Sequence, residues 1–222
     1  MRDKPIIAID GPAGSGKSTV SRLFAKKLGF LYLDTGAMYR ALTLKAVERG
    51  LDLEDEGALI ELSASTDIRV YQDKDYNVRV ELDSRDVSAE IREPDITNKV
   101  SFVAGVKGVR DNLVGLQQKI GRNGAAVLEG RDIGTVVFPD AEYKFYLDAD
   151  FIERVKRRHK ELLASGTDIS REDIEKDVRT RDEKDLKRKH SPLKKADDSI
   201  YIDTTGLSVD EVVDKLASYI SR

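Results

Sequence analysis

Pro5-Ile-Ile-Ala-Ile-Asp-Gly-Pro-Ala-Gly-Ser-Gly-Lys-Ser18 sets a short apolar run directly against the pattern G-x-x-x-x-G-K-[ST], which Gly11 to Ser18 fill without a mismatch. An apolar strand ending at Asp10, a glycine-rich turn and a helix-like stretch from Lys17 to Leu28 form the strand-loop-helix context in which this pattern works. Gly11, Gly14 and Gly16 permit backbone turns that a Cβ would block, so successive N–H groups from Gly11, Pro12, Ala13, Gly14, Ser15, Gly16, Lys17, Ser18 and Thr19 (proline excepted) can converge on phosphate. The helix start adds partial positive charge. Lys17 is placed to reach β- and γ-phosphates, and the Ser18 hydroxyl to ligate Mg2+. A ligand-free glycine-rich turn is the plain alternative, but strand, loop and helix all favour binding of a nucleoside triphosphate.

Working outward, strand-length apolar runs recur at Pro5–Ile9, Phe30–Leu33, Ala125–Leu128, Tyr143–Leu147 and Ser199–Ile202. Helical patterns fill most of the spacing: Lys17–Leu28, Ala37–Arg49, Gly57–Ser65, Val106–Ile120, Phe151–Ala164, Arg171–Lys189 and Ser208–Ser221. The alternation predicts a three-layer α/β fold with a parallel core sheet of five strands. Ser208-Val-Asp-Glu211 resembles a capping box. Between Asp67 and Ser88 the period changes to two, in Ile68 and Val70, then Val78, Val80 and Leu82, around the polar turn Asp73-Lys-Asp-Tyr-Asn77. That segment predicts a small antiparallel insertion, residues 67–88, in a single domain whose core is 1–66, 89–150 and 196–222. Residues 151–195 are crowded with charge and poor in large apolar side chains after Leu163, which predicts a helical cover.

Bulk properties narrow the partners. The 222 residues suffice for one sizeable core, and a net charge of -3 offers no global field for nucleic acid. With no cysteine, disulfides and thiolate metal sites are excluded. No apolar run reaches membrane-spanning length and Met1 to Pro5 carry no signal-like h-region, so a cytoplasmic protein without membrane partners is expected.

Acceptor chemistry is carried by three further groups. Asp34-Thr-Gly-Ala-Met-Tyr-Arg40 follows the second strand at the carboxyl edge where open α/β sheets bind ligands, with Thr35 able to bond a substrate edge and Arg40 to grip phosphate. Glu129-Gly-Arg-Asp-Ile-Gly-Thr135 ends the third strand and sets a cation and a carboxylate, Arg131 and Asp132, toward the same cleft unless they form only a buried ion pair. Arg181, Asp185 and Arg188 share one helix face by their spacing of four and three, and Pro192-Leu193 ends the run. A solvated charged face is the ordinary alternative.

Together these motifs, in this order, resemble the bacterial cytidylate kinase family over nearly the whole chain. The resemblance implies ATP-dependent phosphorylation of CMP or dCMP with Mg2+, by a monomer that engages no nucleic acid, and identifies 67–88 as an enlarged monophosphate-binding insert and 151–195 as the lid. It further implies that Arg40 and Arg131 hold the acceptor phosphate. Thr35, Arg110 and Asp132 would face cytosine beneath Arg188, while Ser101, Arg181 and Asp185 would contact the sugar. Arg154 and Arg158, one turn apart, would reach the ATP phosphates, with Arg157 an equal candidate; with Lys17 and Arg131, Arg154 and Arg158 make up the expected catalytic set. The chain departs from the family in Glu129, usually aspartate, and in Thr35, often serine. Three rivals bear comparison. Another small-molecule or monophosphate kinase, for instance one acting on UMP, could use the same core. A regulatory GTPase would need D-x-x-G before N-K-x-D, but Asn98-Lys-Val-Ser101 lacks the aspartate and Asp203-Thr-Thr-Gly206 comes too late. A nucleic-acid track along Arg154 to Lys195 is interrupted by Glu161, Asp177, Asp182 and Asp185.

Overall fold

In the computed structural model, residues 4–74, 76–164, 166 and 169–220 are described. Asp75 of the expected hairpin turn, residues 165, 167 and 168 of the expected cover, and Ser221, the expected end of the last helix, lie outside them, as do residues 1–3 and 222.

The sheet of five parallel strands has the order β2-β6-β1-β7-β8, comprising β1 (Ile6–Asp10), β2 (Leu31–Asp34), β6 (Ala126–Gly130), β7 (Tyr143–Asp148) and β8 (Ile200–Asp203). Every residue of β1 and β6 is buried, as expected of parallel strands covered on both faces, and this explains their unbroken apolar runs. Register places Asp10 opposite Gly130, and Asp34 opposite Glu129. The phosphate loop and both acceptor motifs therefore leave the sheet at one edge. The strand order reverses around β1, which opens a crevice at that edge.

Helices α1 (Lys17–Leu28) and α8 (Val209–Ile220) pack against each other, and α2 (Thr35–Glu48), α3 (Glu56–Ala64), α4 (Pro94–Gly105) and α5 (Lys107–Gly121) complete the core. Asp34 caps α2 by accepting from Ala37 N at 3.0 Å, which starts that helix at Thr35, two residues before the sequence pattern suggests. At the last helix Ser208 Oγ accepts from Glu211 N, and Glu211 Oε2 accepts from Ser208 N at 2.8 Å, a reciprocal capping box. The inserted unit is antiparallel, β3 (Ile68–Gln72), β4 (Val78–Leu82) and the two-residue β5 (Arg85–Asp86), with Ile68, Val78, Val80 and Leu82 buried.

Helix α4 was not expected. Its inward face is the stripe Ile96, Val100, Val103 and Ala104, with Thr97 buried beside it, and Pro94 marks its first turn. It contains Asn98 to Ser101, so that stretch is helix rather than the strand-following base loop of a GTPase. Helices α6 (Phe151–Ala164) and α7 (Arg171–Lys187) form the cover, joined by a small cluster of Val155, Ile174 and Val178 with Phe151 packed against it. With Leu162 and Ile169 also packed on it, this small apolar cluster suffices because only two helices must be held together.

Candidate active site

The phosphate loop has no room to be anything but glycine at two contacts. A Cβ on Gly11 would lie 2.0 Å from Leu147 O of β7, and one on Gly14, at φ +73°, 2.7 Å from Arg154 O of α6. The loop thus leans on the sheet on one side and on the cover on the other. Lys17 is buried and its Nζ donates to Pro12 O at 2.9 Å. Burial, reinforced by the Arg131 guanidinium, pushes its pKa down to about 7.

Ala13, Gly14, Lys17, Ser18 and Thr19 line a cavity of about 840 Å3. Its other walls come from β2-α2, the start of β4 and the segment around Ser88 to Arg92, the end of β6, α4-α5, α6 and α7. Thr35, Arg40, Ser101, Arg110, Arg131, Asp132, Arg181, Asp185 and Arg188 all line it. Residues 150 positions apart in the chain meet there because β1, β2 and β6 end together.

Within that cavity the charged groups are paired and specifically oriented. Arg110 and Asp132, both buried, form an ion pair through Arg110 Nη2 and Asp132 Oδ2, while Arg110 sits 5.3 Å from the centre of the Tyr39 ring and its buried Nε has no hydrogen-bond partner among the described residues. Arg40 Nη2 meets Asp34 Oδ2 at 2.7 Å, and its Nε is likewise buried without a partner. Burial opposes ionisation of Asp34, but the Arg40 and Arg92 guanidiniums hold its carboxyl below the usual value. Arg188 donates from Nε and Nη2 to Ser191 O, turning its guanidinium toward Arg110. Ser101 Oγ accepts from Lys184 Nζ of α7 at 3.3 Å. Arg181 is pushed down to about 10 by burial and by Arg131. Buried guanidiniums that repel one another and lack carboxylates enough to neutralise them make a site for anions.

Thr35 Oγ1 donates to Glu129 O at 2.7 Å, so its hydroxyl proton is already engaged. The Glu129 carboxylate accepts from Tyr32 Oη at 2.6 Å and from Ser18, and burial raises its pKa. Ser18 and Glu129 both line the cavity and bond to each other, an oxygen pair suited to a hard cation. No group of three or more His, Cys, Asp or Glu side chains that could hold a metal occurs among the described residues, so such a cation would depend on nucleotide phosphates for its remaining ligands.

The three cover arginines separate. Arg158 lines the cavity with its Nε buried and unpartnered, while Nη1 pairs with Glu161. Arg154 does not line it: Nη1 donates to Ala13 O at 3.0 Å and Asp182 Oδ2 at 2.6 Å, and Nε to Ala149 O. Arg157 donates to Ser15 O, Thr204 Oγ1 and Thr204 O. Sequence reasoning passed over Tyr39, Arg92 and Asp10. Tyr39 was findable, since it lies four residues after Thr35 on the same helix face.

Comparison with known proteins adds a second line. A family model described as "Cytidylate kinase" matches residues 7–222. The chain is 51% identical over 216 residues to a cytidylate kinase of Carboxydothermus hydrogenoformans, covering 97% of each. It is 48% identical to one from Pelotomaculum thermopropionicum, covering 100% of this chain and 98% of the relative. Among solved structures it is similar to a shikimate kinase from Acinetobacter baumannii, with TM-score 0.50, 17% identity, and 99% and 94% coverage, a likeness of fold alone.

Proposed function

The chain belongs to the cytidylate kinase family, and from that premise we propose how its residues divide the work. The reaction is transfer of the γ-phosphoryl group of ATP to CMP or dCMP, giving ADP and CDP or dCDP. The carrying observation is that one cavity holds both the phosphate loop and the Arg110–Asp132 pair.

Gly11 to Thr19 bind ATP, with Lys17 on the β- and γ-phosphates. Ser18, with Glu129 bonded to it, would hold Mg2+, which would supply charge neutralisation to the nucleotide. Arg40 and Arg131 hold the acceptor phosphate, whose oxygen is the nucleophile. It is ionised at neutral pH, so no general base is required, and neither histidine lines the cavity. Catalysis is alignment plus neutralisation of the transferring group by Lys17, Arg131 and Arg158. Arg154, which bonds the loop from behind, acts by holding Ala13 in place.

Cytosine offers an amine donor beside a ring-nitrogen acceptor. Asp132 accepts from the first, Arg110 donates to the second, and Thr35 and Arg188 bound the pocket. Uracil reverses both, which would set its carbonyl oxygen against Asp132. Ser101, Arg181 and Asp185 read the sugar. Closure of α6-α7 excludes water that would hydrolyse ATP. The 67–88 unit serves as the acceptor insert, 151–195 as the lid, and the rest as core. A monomer is the active unit, supported by a cavity built from one chain, and light scattering after gel filtration tests that. No nucleic acid takes part, supported by the pairing of lid cations with lid acids. Among the described residues no helix is long and apolar enough to cross a membrane; absence of cysteine and dependence on ATP support a cytoplasmic site.

An ADP-release assay with CMP, dCMP, UMP, AMP and GMP tests the reading: CMP and dCMP turn over fastest, and equal turnover of a purine monophosphate would reject it.

A further inference from the structure

Asp10 does not line the cavity, yet it is a buried carboxylate directly beside it. It ends β1, immediately before Gly11, is 5% exposed, and makes no ion pair among the described residues. Its Oδ1 accepts from Ile133 N and its Oδ2 from Gly134 N, each at 2.8 Å. Those amides begin the single wide turn Ile133–Val137, where no residue of the turn can accept from them. The same turn is closed by Val136 N and Val137 N donating to Asp132 O. The backbone of Asp132 is therefore fixed from its carbonyl side by the turn, and the turn is fixed by Asp10. Burial pushes the pKa of this carboxyl up to about 7 while the two N–H groups oppose that shift, so its position is held at an electrostatic cost.

We propose that Asp10 is a positioning residue that ties the donor loop to the base-reading segment, so that ATP occupancy and cytosine recognition are coupled through one carboxylate. When phosphate draws the loop's N–H groups inward, the chain at Gly11 and the carboxylate at Asp10 move as a unit, and with them the amides that follow Asp132. The acceptor pocket then takes its reading geometry when ATP is in place. The inference rests on the reading of Asp132 as the residue that faces the base.

The test measures the CMP to UMP ratio of kcat/KM, and CMP affinity with and without a nonhydrolysable ATP analogue, in wild type, Asp10→Asn and Gly134→Ala. Asparagine keeps one acceptor but turns a donor against the other amide. Alanine at 134 leaves Asp10 in place and brings a methyl to 3.4 Å from its Oδ2. The expected result is that Asp10→Asn lowers the CMP to UMP ratio at least about fivefold and abolishes most of the enhancement of CMP binding by the analogue, and that Gly134→Ala shifts both in the same direction by less. A purely structural role would lower melting temperature and active fraction while leaving both quantities at wild-type values in the folded protein, and that outcome overturns the proposal. If Asp10→Asn fails to fold, Gly134→Ala decides alone: unchanged ratio and enhancement overturn it. Should wild type itself show no preference for CMP, the functional reading fails instead, which separates the two failures.

Discussion

Arg131 Nε, at the end of β6, and Asp185 Oδ2, on α7, meet at 2.7 Å across the cleft, so the lid is fastened to the strand edge by the cation expected to hold the acceptor phosphate. On the proposed roles, an arriving phosphate would compete with Asp185 for that guanidinium and free the carboxylate for the sugar. Arg131→Ala should raise the KM for CMP on the order of tenfold to hundredfold, the scale of one charge-assisted contact, with a smaller change in KM for ATP. Steady-state kinetics check this, and an unchanged KM for CMP would remove Arg131 from phosphate binding.

Lys17 is proposed to supply charge at the transferring group, and among the described residues its Nζ donates to Pro12 O alone. Lys17→Ala should lower kcat by about a thousandfold or more while the melting temperature holds or rises, since a buried cation is removed. A variant retaining a tenth of wild-type kcat would contradict the role.

Because the ordinary lysine value is 10.5 and Lys17 sits near 7 in the empty site, the unfolded chain carries a proton between those values that the folded empty enzyme lacks. Stability of the empty enzyme from this group therefore rises with pH across that window. ATP restores the charge, so its binding at pH 8 to 9 should take up close to one proton, and its affinity should fall by up to about tenfold per pH unit above 7. Calorimetry in two buffers of different ionisation enthalpy reads the proton directly. No uptake in wild type, or the same uptake in Lys17→Met, would reject the assignment.

Arg154 and Arg158 should separate in kind. Loss of the Arg154 bonds to Ala13, Ala149 and Asp182 leaves buried partners unsatisfied, at a cost of about 2–3 kcal/mol, or several degrees of melting temperature in a chain of this size. Arg158→Ala should leave the melting temperature within about a degree and lower kcat. Equal thermal losses would show that both are structural.

The phosphate loop was legible because its residues serve backbone geometry that few alternatives satisfy, and the sheet because β1 and β6 are buried on both faces and carry unbroken apolar runs. That the expected acceptor residues share one cavity was legible through the family motifs rather than through periodicity. Helix α4 was missed although Ile96, Val100, Val103 and Ala104 recur at helical spacing, since the run is short and Pro94 reads as a breaker. Arg154 illustrates a different limit: one-turn spacing from Arg158 gives a shared face, but the length of an arginine lets burial against Ala13 O decide where the guanidinium goes. Asp10 could not have been singled out, because its bonds to Ile133 and Gly134 join segments more than a hundred residues apart.

Asp132, the proposed base reader, lines the phosphate-loop cavity, and Asp132→Asn tests that role most directly. An amide in place of that carboxylate can donate to the uracil carbonyl, so the CMP to UMP ratio of kcat/KM should fall by about tenfold to hundredfold, the discrimination one paired polar contact supplies, with ATP affinity little changed. A variant that stays active and keeps the wild-type ratio would contradict the account.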